Sequence, residues 1–212
     1  MDSLLFLPVL CFCSKLYKFK GRQHAVLFLL ILFLIYVNIL SIQNIITDGD
    51  IMTVHPISPV YDSNSKILIL GSFPSVKSRE EMFFYGHPQN RFWRVISAVF
   101  GKCVPTDVES KKELLLSCGV ALWDVIASCD IEGSSDSSIR NVVPNDLSVI
   151  LNTADIKQIY VNGKTAERYY NKYLRDKYGR EAICLPSTSP ANAAWNLEKL
   201  INEWKIIKDG LC

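Results

Sequence analysis

The chain has 212 residues, of which 49% are apolar and 21% charged, a balance that supports a buried core and excludes a disordered or fibrous protein. The formal net charge of +2 excludes a strongly basic surface as the basis of nucleic-acid binding, so such a function would have to come from a local site. The length favours one domain of ordinary size with an appended segment.

Residues 1–51 differ in composition from the rest. No polar side chain occurs in residues 25–37, and the apolar character continues to Ile46. The stretch 25–46 is about long enough for a transmembrane helix. Basic residues precede it and Asp48 and Asp50 follow it, which would keep the N-terminus in the cytoplasm.

Met52 stands where the composition typical of a soluble domain begins. We therefore favour the interpretation that the working protein starts at Met52 and that residues 1–51 are an upstream extension from a misplaced start site. A genuine membrane anchor and a targeting segment are the alternatives, although no small-residue cleavage site follows the apolar stretch.

Residues 52–212 alternate between predicted strands and helices. Short apolar runs predict buried strands at 66–71, 119–125, 156–161 and 182–185. Helical spacing of apolar residues predicts helices at 90–100, 107–118, 145–151, 164–178 and 193–207. This order predicts an α/β fold of three layers, α/β/α, around a short central parallel sheet of four strands. In such a fold the ligand crevice lies beyond the carboxyl ends of the strands.

Three polar segments are placed to reach that edge of the sheet. Gly71–Ser75 (GSFPS) follows the first strand, Tyr85–Trp93 (YGHPQNRFW) comes further along, and Pro186–Asn192 (PSTSPAN) follows the last strand. In this order they resemble the uracil-DNA glycosylase superfamily over about residues 53–208. The HPxNRFW part is similar to mismatch-specific uracil/thymine glycosylases, and the combination is closest to the hypoxanthine-DNA (deoxyinosine) glycosylase branch, family 6.

The resemblance implies a DNA glycosylase of base excision repair. Such an enzyme rotates a deaminated nucleotide out of single- or double-stranded DNA and hydrolyses its N-glycosidic bond. Hypoxanthine is the base we expect first. The sequence shows no lysine set up for a Schiff base, so we expect a monofunctional enzyme that leaves an abasic site. We further expect a monomer located with DNA inside the cell, in the cytoplasm, nucleoid or nucleus.

Two alternatives remain open. One is a glycosylase of the same fold that prefers uracil, or the pyrimidine of a G·T or G·U mismatch. The other is a non-catalytic module that binds nucleic acid, tethered to a membrane if residues 1–51 are genuine.

Aromatic residues are candidates for stacking on the extruded base. Phe83, Phe84 and Tyr85 are adjacent, and the resemblance favours Tyr85, although core packing is an alternative for each of them. Phe73 is also placed in the base-binding set. It occupies a position where most of the superfamily has an Asp or Asn that handles water, a role that a phenyl ring cannot perform.

The resemblance assigns the catalytic side chain to Asn90, which matches an Asn of the YGHPxN segment. An amide neither accepts nor releases a proton at neutral pH, so it would act by orientation and electrostatics. The alternative for Asn90 is an N-cap of the following helix, and both roles can coexist. His87 could contact the substrate or the leaving base, or simply fix a turn.

Two polar residues end central strands and are candidates for reading the base. The carboxylate of Asp124 could accept a hydrogen bond from hypoxanthine N1–H or uracil N3–H. Its alternative role is a cap or an ion pair with Arg140. Asn162, beside Gly163, is a similar candidate.

Hydroxyl groups and backbone N–H groups of the outer segments are candidates for DNA-phosphate contacts, with the last segment just before the predicted helix at Ala193. The candidates are Ser72, Ser75, Ser187, Thr188 and Ser189. Pro190 and Ala191 would form a small wedge that enters the space left by the base. An ordinary strand–helix loop is the alternative. Basic residues that could add phosphate contacts are Lys77, Arg79, Arg91 and Arg140.

We expect no metal and no cofactor. The seven cysteines lack CxxC pairs and the spacings of zinc and most cluster sites, and no nucleotide-cofactor motif is present. The odd number and irregular spacing of the cysteines favour reduced thiols of an intracellular protein over a disulfide framework.

Overall fold

The computed structural model describes residues 52–211. The strands are β1 (Thr53–Val54), β2 (Ile67–Gly71), β3 (Val120–Asp124), β4 (Ile126–Asp130), β5 (Arg140–Pro144), β6 (Gln158–Asn162) and β7 (Ala182–Leu185). The helices are α1 (Val76–Glu80), α2 (Phe92–Phe100), α3 (Val108–Ser117), α4 (Ser148–Leu151), α5 (Lys164–Tyr173), α6 (Arg175–Tyr178) and α7 (Leu197–Trp204), with 3₁₀ turns at Asp136–Ser138 and Lys205–Leu211.

A parallel four-stranded sheet in the order β3-β2-β6-β7 forms the centre of the fold. Every residue of β2 is buried, because both faces of the sheet are covered. Ile67 and Ile69 pack in a core with residues of α2, α3 and α7, whereas Leu68 and Leu70 pack in a second core with residues of α5. This alternation confirms the predicted three-layer α/β/α fold.

The register of the central sheet positions the polar residues at its edge. Gly71 lies beside Asp124, the last residue of β3. Leu70 pairs with Val161, so Asn162 lies one position further along the same edge, where it pairs with Leu185. The residues that follow these four strands therefore meet at one end of the sheet.

A second, antiparallel sheet in the order β1-β4-β5 was not predicted from the sequence. β4 begins two residues after β3 ends. The sequence therefore predicted only one strand in this region, at 119–125. β5 is largely exposed and pairs irregularly with β4, so it lacks the apolar run of a buried strand. Pro144, which directly precedes the helix predicted at 145–151, ends β5, and the helix itself begins only at Ser148. The Ser-rich segment, residues 133–138, forms the tip of the β4–β5 hairpin.

Two predicted helices also differ in extent. The long helix predicted at 164–178 is interrupted at Leu174, where α5 ends and α6 begins. The last helix begins at Leu197 rather than at Ala193, because Asn196 caps it by accepting a hydrogen bond from the Lys199 N–H (2.9 Å).

The proposed extension 1–51 and the candidate span 25–46 lie outside the described residues. Between residues 52 and 211, no helix has both the length and the apolar composition needed to cross a membrane. Cys103, Cys118, Cys129 and Cys184 are free thiols, and the other three cysteines lie outside the described part of the chain.

Candidate active site

A cavity of about 500 Å³ opens beyond the carboxyl ends of the central strands. Its volume lies within the range of about 300–1,000 Å³ typical of small-molecule sites. All three polar segments line it. The predicted site residues in its wall are Ser72, Phe73, Ser75, Phe84, Tyr85, His87, Asn90, Asp124, Asn162, Ser187, Thr188, Ser189 and Pro190. Ala191 is exposed outside the wall, and Phe83 is buried in the core.

Asn90 is held in the cavity wall by the start of α2. Its Oδ1 atom accepts a hydrogen bond from the N–H of Phe92, the first residue of α2 (3.0 Å), while Arg91 rather than Asn90 occupies the N-cap position. Within the described residues its Nδ2 group has no hydrogen-bond partner, which leaves two N–H donors for a ligand. His87 is exposed, and its Nδ1 atom accepts from the Gln89 N–H (3.2 Å), a contact that fixes the turn.

Tyr85 combines a stacked ring with a buried hydroxyl group. Its ring stacks on Phe92 with a centroid separation of 4.0 Å, and its backbone has a φ of 53°. The hydroxyl accepts a hydrogen bond from Asn162 Nδ2 (3.0 Å). Burial, together with the nearby Asp124 carboxylate, raises the pKa of Tyr85 far above its usual value, so the phenol stays neutral and keeps a proton to donate.

Asp124 has a partner that the sequence analysis did not identify. Its Oδ2 atom lies 2.8 Å from Nε2 of His55, and both side chains are buried. Nδ1 of His55 accepts from the Ile57 N–H (3.2 Å), so in the neutral ring the proton is on Nε2, which donates to Asp124. The suggested partner, Arg140, is an exposed residue of β5. A single histidine 69 residues away in the chain carries no motif that would reveal this contact.

Gly71 allows Asp124 to occupy this position. A Cβ atom on Gly71 would lie 2.1 Å from Asp124 Oδ1 and 3.1 Å from the Tyr85 hydroxyl. The absence of a side chain therefore brings the carboxylate, the phenol and strand β2 into direct contact.

Asn162 joins the last polar segment to Tyr85. Its Nδ2 donates to Thr188 Oγ1 and to the Tyr85 hydroxyl, both at 3.0 Å, while its Oδ1 accepts from the Thr188 N–H (3.0 Å). Both amide protons are thus used within the protein, and a lone pair of Oδ1 is what the side chain can still offer to a base. Thr188 is fully buried in this network.

Ser187 and Ser189 are the partly exposed hydroxyl residues of the last segment. Ser187 Oγ accepts from the Ser189 N–H (3.2 Å), and Ser189 Oγ accepts from the Ala191 N–H (3.3 Å). These backbone N–H groups are used internally, and α7 starts only at Leu197, so the expected site at a helix N-terminus is not formed. The two hydroxyl protons remain available to donate to a phosphate.

Arg91 fastens the Asn90 segment to the last polar segment. Its guanidinium group donates to the backbone carbonyls of Thr188, Ser189, Asn192 and Trp195. Its backbone N–H also donates to the Thr188 carbonyl (3.1 Å). Arg91 was predicted as a candidate for contacting DNA, but its guanidinium group is instead engaged in holding two walls of the cavity together.

The first polar segment contributes an apolar wall and a capping serine. Phe73 is 8% exposed and packs edge-on against His55, with Arg79 on its ring at 5.7 Å. Ser75 caps α1 by accepting from the Ser78 N–H (3.2 Å). Lys77 and Glu80 form an exposed ion pair (3.2 Å) that also lines the cavity.

The tip of the β4–β5 hairpin supplies a part of the cavity that the sequence analysis missed. Ile131, Ser134 and Asp136 line the cavity from this tip. Ser134 Oγ accepts from the Val76 N–H (2.9 Å), and Asp136 Oδ1 accepts from Ser72 Oγ (3.4 Å). Asp136 is an exposed residue, and partial desolvation of its carboxyl group against the cavity wall raises its pKa, an effect that the Ser72 hydrogen bond opposes. Within residues 52–211, no group of three or more potential ligands is arranged to hold a metal ion.

Comparisons with known proteins agree on one family. The family model described as "Uracil DNA glycosylase superfamily" matches residues 58–209. A hypoxanthine DNA glycosylase of Methanosarcina barkeri is 35% identical over 136 residues, covering 63% of this chain and 85% of that protein. A hypoxanthine DNA glycosylase of Methanosarcina acetivorans is 35% identical over 150 residues, covering 70% of this chain and 93% of that protein.

A solved structure shares the fold. It is a solution NMR structure of a protein from Methanosarcina acetivorans described as a candidate uracil DNA glycosylase. The two structures superpose with a TM-score of 0.64 at 33% sequence identity, covering 75% of this chain and 99% of that one.

Proposed function

The chain belongs to the uracil DNA glycosylase superfamily, and we propose that it is a monofunctional DNA glycosylase that removes hypoxanthine from deoxyinosine. Membership confirms the resemblance drawn from the three polar segments. Two relatives that match over most of their length are named hypoxanthine DNA glycosylase, and these names support the choice of base. The observation that carries the proposal is the single cavity lined by both Asn90 and residues 187–190.

The proposed binding mode starts with the base outside the helix. Glycosylases rotate the target nucleotide into a pocket because its glycosidic bond is inaccessible in the stack. Phe92 covers one face of Tyr85, and we assign the other face to stacking on the purine. Pro190 would fill the vacated space, while the hydroxyls of Ser187 and Ser189 would bind the flanking phosphates.

Asp124 supports recognition of the base edge. Its Oδ2 is occupied by His55, while Oδ1 has no hydrogen-bond partner among residues 52–211 and can accept N1–H of hypoxanthine. The Tyr85 proton and a lone pair of Asn162 complete a polar edge at the same end of the sheet. Uracil N3–H offers the same kind of donor, so we assign the preference for hypoxanthine to the fit of a purine between the cavity walls.

Asn90 would act on the sugar and the leaving base. Its Oδ1 is fixed by the Phe92 N–H, so its two N–H donors are held in place before substrate binds. Such donors can stabilise charge that develops on the departing base as the C1′–N9 bond lengthens and the sugar becomes oxocarbenium-like.

The function is tested by cleavage of matched DNA duplexes with the full chain. The duplexes differ at one position, which holds deoxyinosine, deoxyuridine or the thymine of a G·T pair, and abasic sites are cleaved by alkali. We expect faster cleavage at deoxyinosine. Faster cleavage at deoxyuridine or the mismatch would favour the alternative substrates, and no cleavage of any duplex would favour a non-catalytic module.

The Asn90 variants separate catalysis from the hydrogen bond with the Phe92 N–H. An aspartate retains an oxygen that can accept from the Phe92 N–H but lacks the N–H donors. We therefore expect both Asn90→Ala and Asn90→Asp to lower the single-turnover rate by about 100-fold or more, the range for one such donor. The control is Asn152→Ala at the exposed end of α4, which should keep the full rate. Full activity of Asn90→Asp would contradict the assignment.

A further inference from the structure

Hydrolysis of a glycosidic bond releases a proton from the attacking water, and a positioned side chain that accepts this proton accelerates the step. Phe73 cannot accept this proton, and the amide of Asn90 is not a base at neutral pH. A carboxylate in the same cavity, outside the three polar segments, meets the chemical requirement.

Asp136 is such a carboxylate. It lies in the 3₁₀ turn at the tip of the β4–β5 hairpin and lines the cavity together with Asn90 and Asp124. Ser72, the residue before Phe73, donates to its Oδ1 atom (3.4 Å). The hairpin thus brings an acid into contact with the residue that precedes Phe73, in the cavity that both residues line.

The hairpin tip is fastened to the cavity wall. Val76 N–H donates to Ser134 Oγ (2.9 Å), and Arg79 donates to the carbonyl of Gly133 (3.4 Å). Ser138 Oγ donates to the carbonyl of Ser135 (2.7 Å) and accepts from the Glu132 N–H (2.9 Å). These contacts hold the turn that carries Asp136.

We propose that Asp136 is the general base that takes a proton from the attacking water, a role that rests on the proposed glycosylase function. The water oxygen forms a bond to C1′ as the C1′–N9 bond breaks, and the electron pair of that bond leaves with the base. One water proton passes to Asp136, and the departing hypoxanthine takes up a proton from solvent. The products are an abasic sugar bearing a hydroxyl group and neutral hypoxanthine.

The charges around Asp136 fit a base that works near neutral pH. Arg168 and Thr165 of α5 favour its ionised form, Asp124 of β3 opposes it, and Ser72 donates a hydrogen bond to it. Lys77, Glu80 and His87 line the same cavity. Asp136 is an exposed residue of the turn, and partial desolvation of its carboxyl group against the cavity wall raises its pKa, which strengthens it as a base.

The test compares Asp136→Asn and Asp136→Ala with the full wild-type chain on deoxyinosine DNA in single-turnover assays. Loss of a general base typically costs about 10²–10⁴-fold, so we expect at least a 100-fold fall in rate with unchanged binding to the same duplex. Formate should partly restore the rate of Asp136→Ala, because it supplies the missing carboxylate. Glu132→Gln, on the same hairpin, is the matched control and should retain the wild-type rate.

The pH profile provides a second readout. A base must be ionised to act, so the wild-type rate should fall as the pH falls through the raised pKa of Asp136, and Asp136→Asn should lose this acid limb. Wild-type rates in Asp136→Asn, or a slow variant that keeps the acid limb and does not respond to formate, would overturn the inference. If the wild-type chain does not cleave deoxyinosine DNA, both the proposed function and this inference are overturned. If the wild-type chain is active and Asn90→Ala is inactive, the proposed function is retained.

Discussion

Gly71 shows how the absence of one side chain determines the geometry of the site. A Cβ at this position would lie 2.1 Å from Asp124 Oδ1, closer than van der Waals contact allows. We expect Gly71→Ala to displace the carboxylate and to lower deoxyinosine cleavage by at least 10-fold. The measurement is a single-turnover rate together with a thermal unfolding curve.

A second glycine provides the control for that substitution. Gly101 ends α2 with a φ of 65°, and a Cβ there would meet no atom within 4 Å. Gly101→Ala therefore adds backbone strain of about 1–2 kcal/mol without touching the cavity. If it lowers activity as much as Gly71→Ala, the effect at Gly71 reflects stability rather than the position of Asp124.

The sequence predicted cavity-lining positions for polar residues that end a buried strand. Asp124 and Asn162 were placed in the site for that reason, and both line the cavity. His55 and Asp136 were missed because neither follows a central strand. His55 comes just after the two-residue strand β1 and Asp136 lies in a Ser-rich turn, and both reach the site through tertiary packing alone.

At the level of elements, α2 and the segment 186–195 are joined through Arg91. Lysine has one ammonium group in place of the planar guanidinium and cannot reproduce these divergent contacts to carbonyls. Hydrogen bonds from charged groups contribute about 1.5–3 kcal/mol, so we expect Arg91→Lys to lower the free energy of unfolding by about 2 kcal/mol. For a chain of this size that corresponds to a Tm lower by about 4–8 °C.

The same substitution should affect cleavage. Arg91 adjoins Asn90. Weakening the contacts of Arg91 should therefore let two walls of the cavity move apart and lower the deoxyinosine cleavage rate. Arg94→Lys is the matched control, because Arg94 lies on the same helix and is exposed. Equal Tm and activity in the Arg91 and Arg94 variants would show that the contacts of Arg91 do not hold the site together.

The strands and helices that were predicted correctly are those whose sequence carries one clear pattern, such as an apolar run or a capping motif. Parallel strands buried on both faces are continuously apolar, and α3 has a capping box at Asp107, its predicted start. β4 and β5 lack such a signal, because their exposure varies irregularly and their pairing shifts register. The start of α7 was misplaced because Ala193 and Ala194 favour a helix locally, while turns tied to Asn192 occupy that segment.

At the level of the whole molecule, the proposed domain boundary is testable. The family match spans residues 58–209, and the site residues described above all lie between His55 and Trp195. We therefore propose that residues 52–212 form the catalytic domain and act as a monomer. We expect this fragment to cleave deoxyinosine DNA at a rate within about two-fold of the full chain.

Two fragments sharpen the boundary. A fragment starting at Ile57 lacks His55 and should lose most activity, because Asp124 then loses its buried partner. If the fragment 52–212 is folded by circular dichroism but inactive, residues 1–51 contribute to the function. Light scattering of the active fragment would measure its oligomeric state directly.

The β4–β5 hairpin that lines one side of the cavity belongs to the small antiparallel sheet. The other walls are formed by residues at the end of the central parallel sheet. Lengthening or shortening residues 131–139 would therefore resize the chamber and leave the parallel strands unaltered. On the function proposed here, the residues assigned to the DNA phosphates and the hairpin that lines the cavity therefore belong to different parts of the scaffold. That separation makes the residues on either side of Asp136 in the Ser-rich turn a site for grafting, through which one fold could be retuned for larger damaged purines while the proposed base is kept.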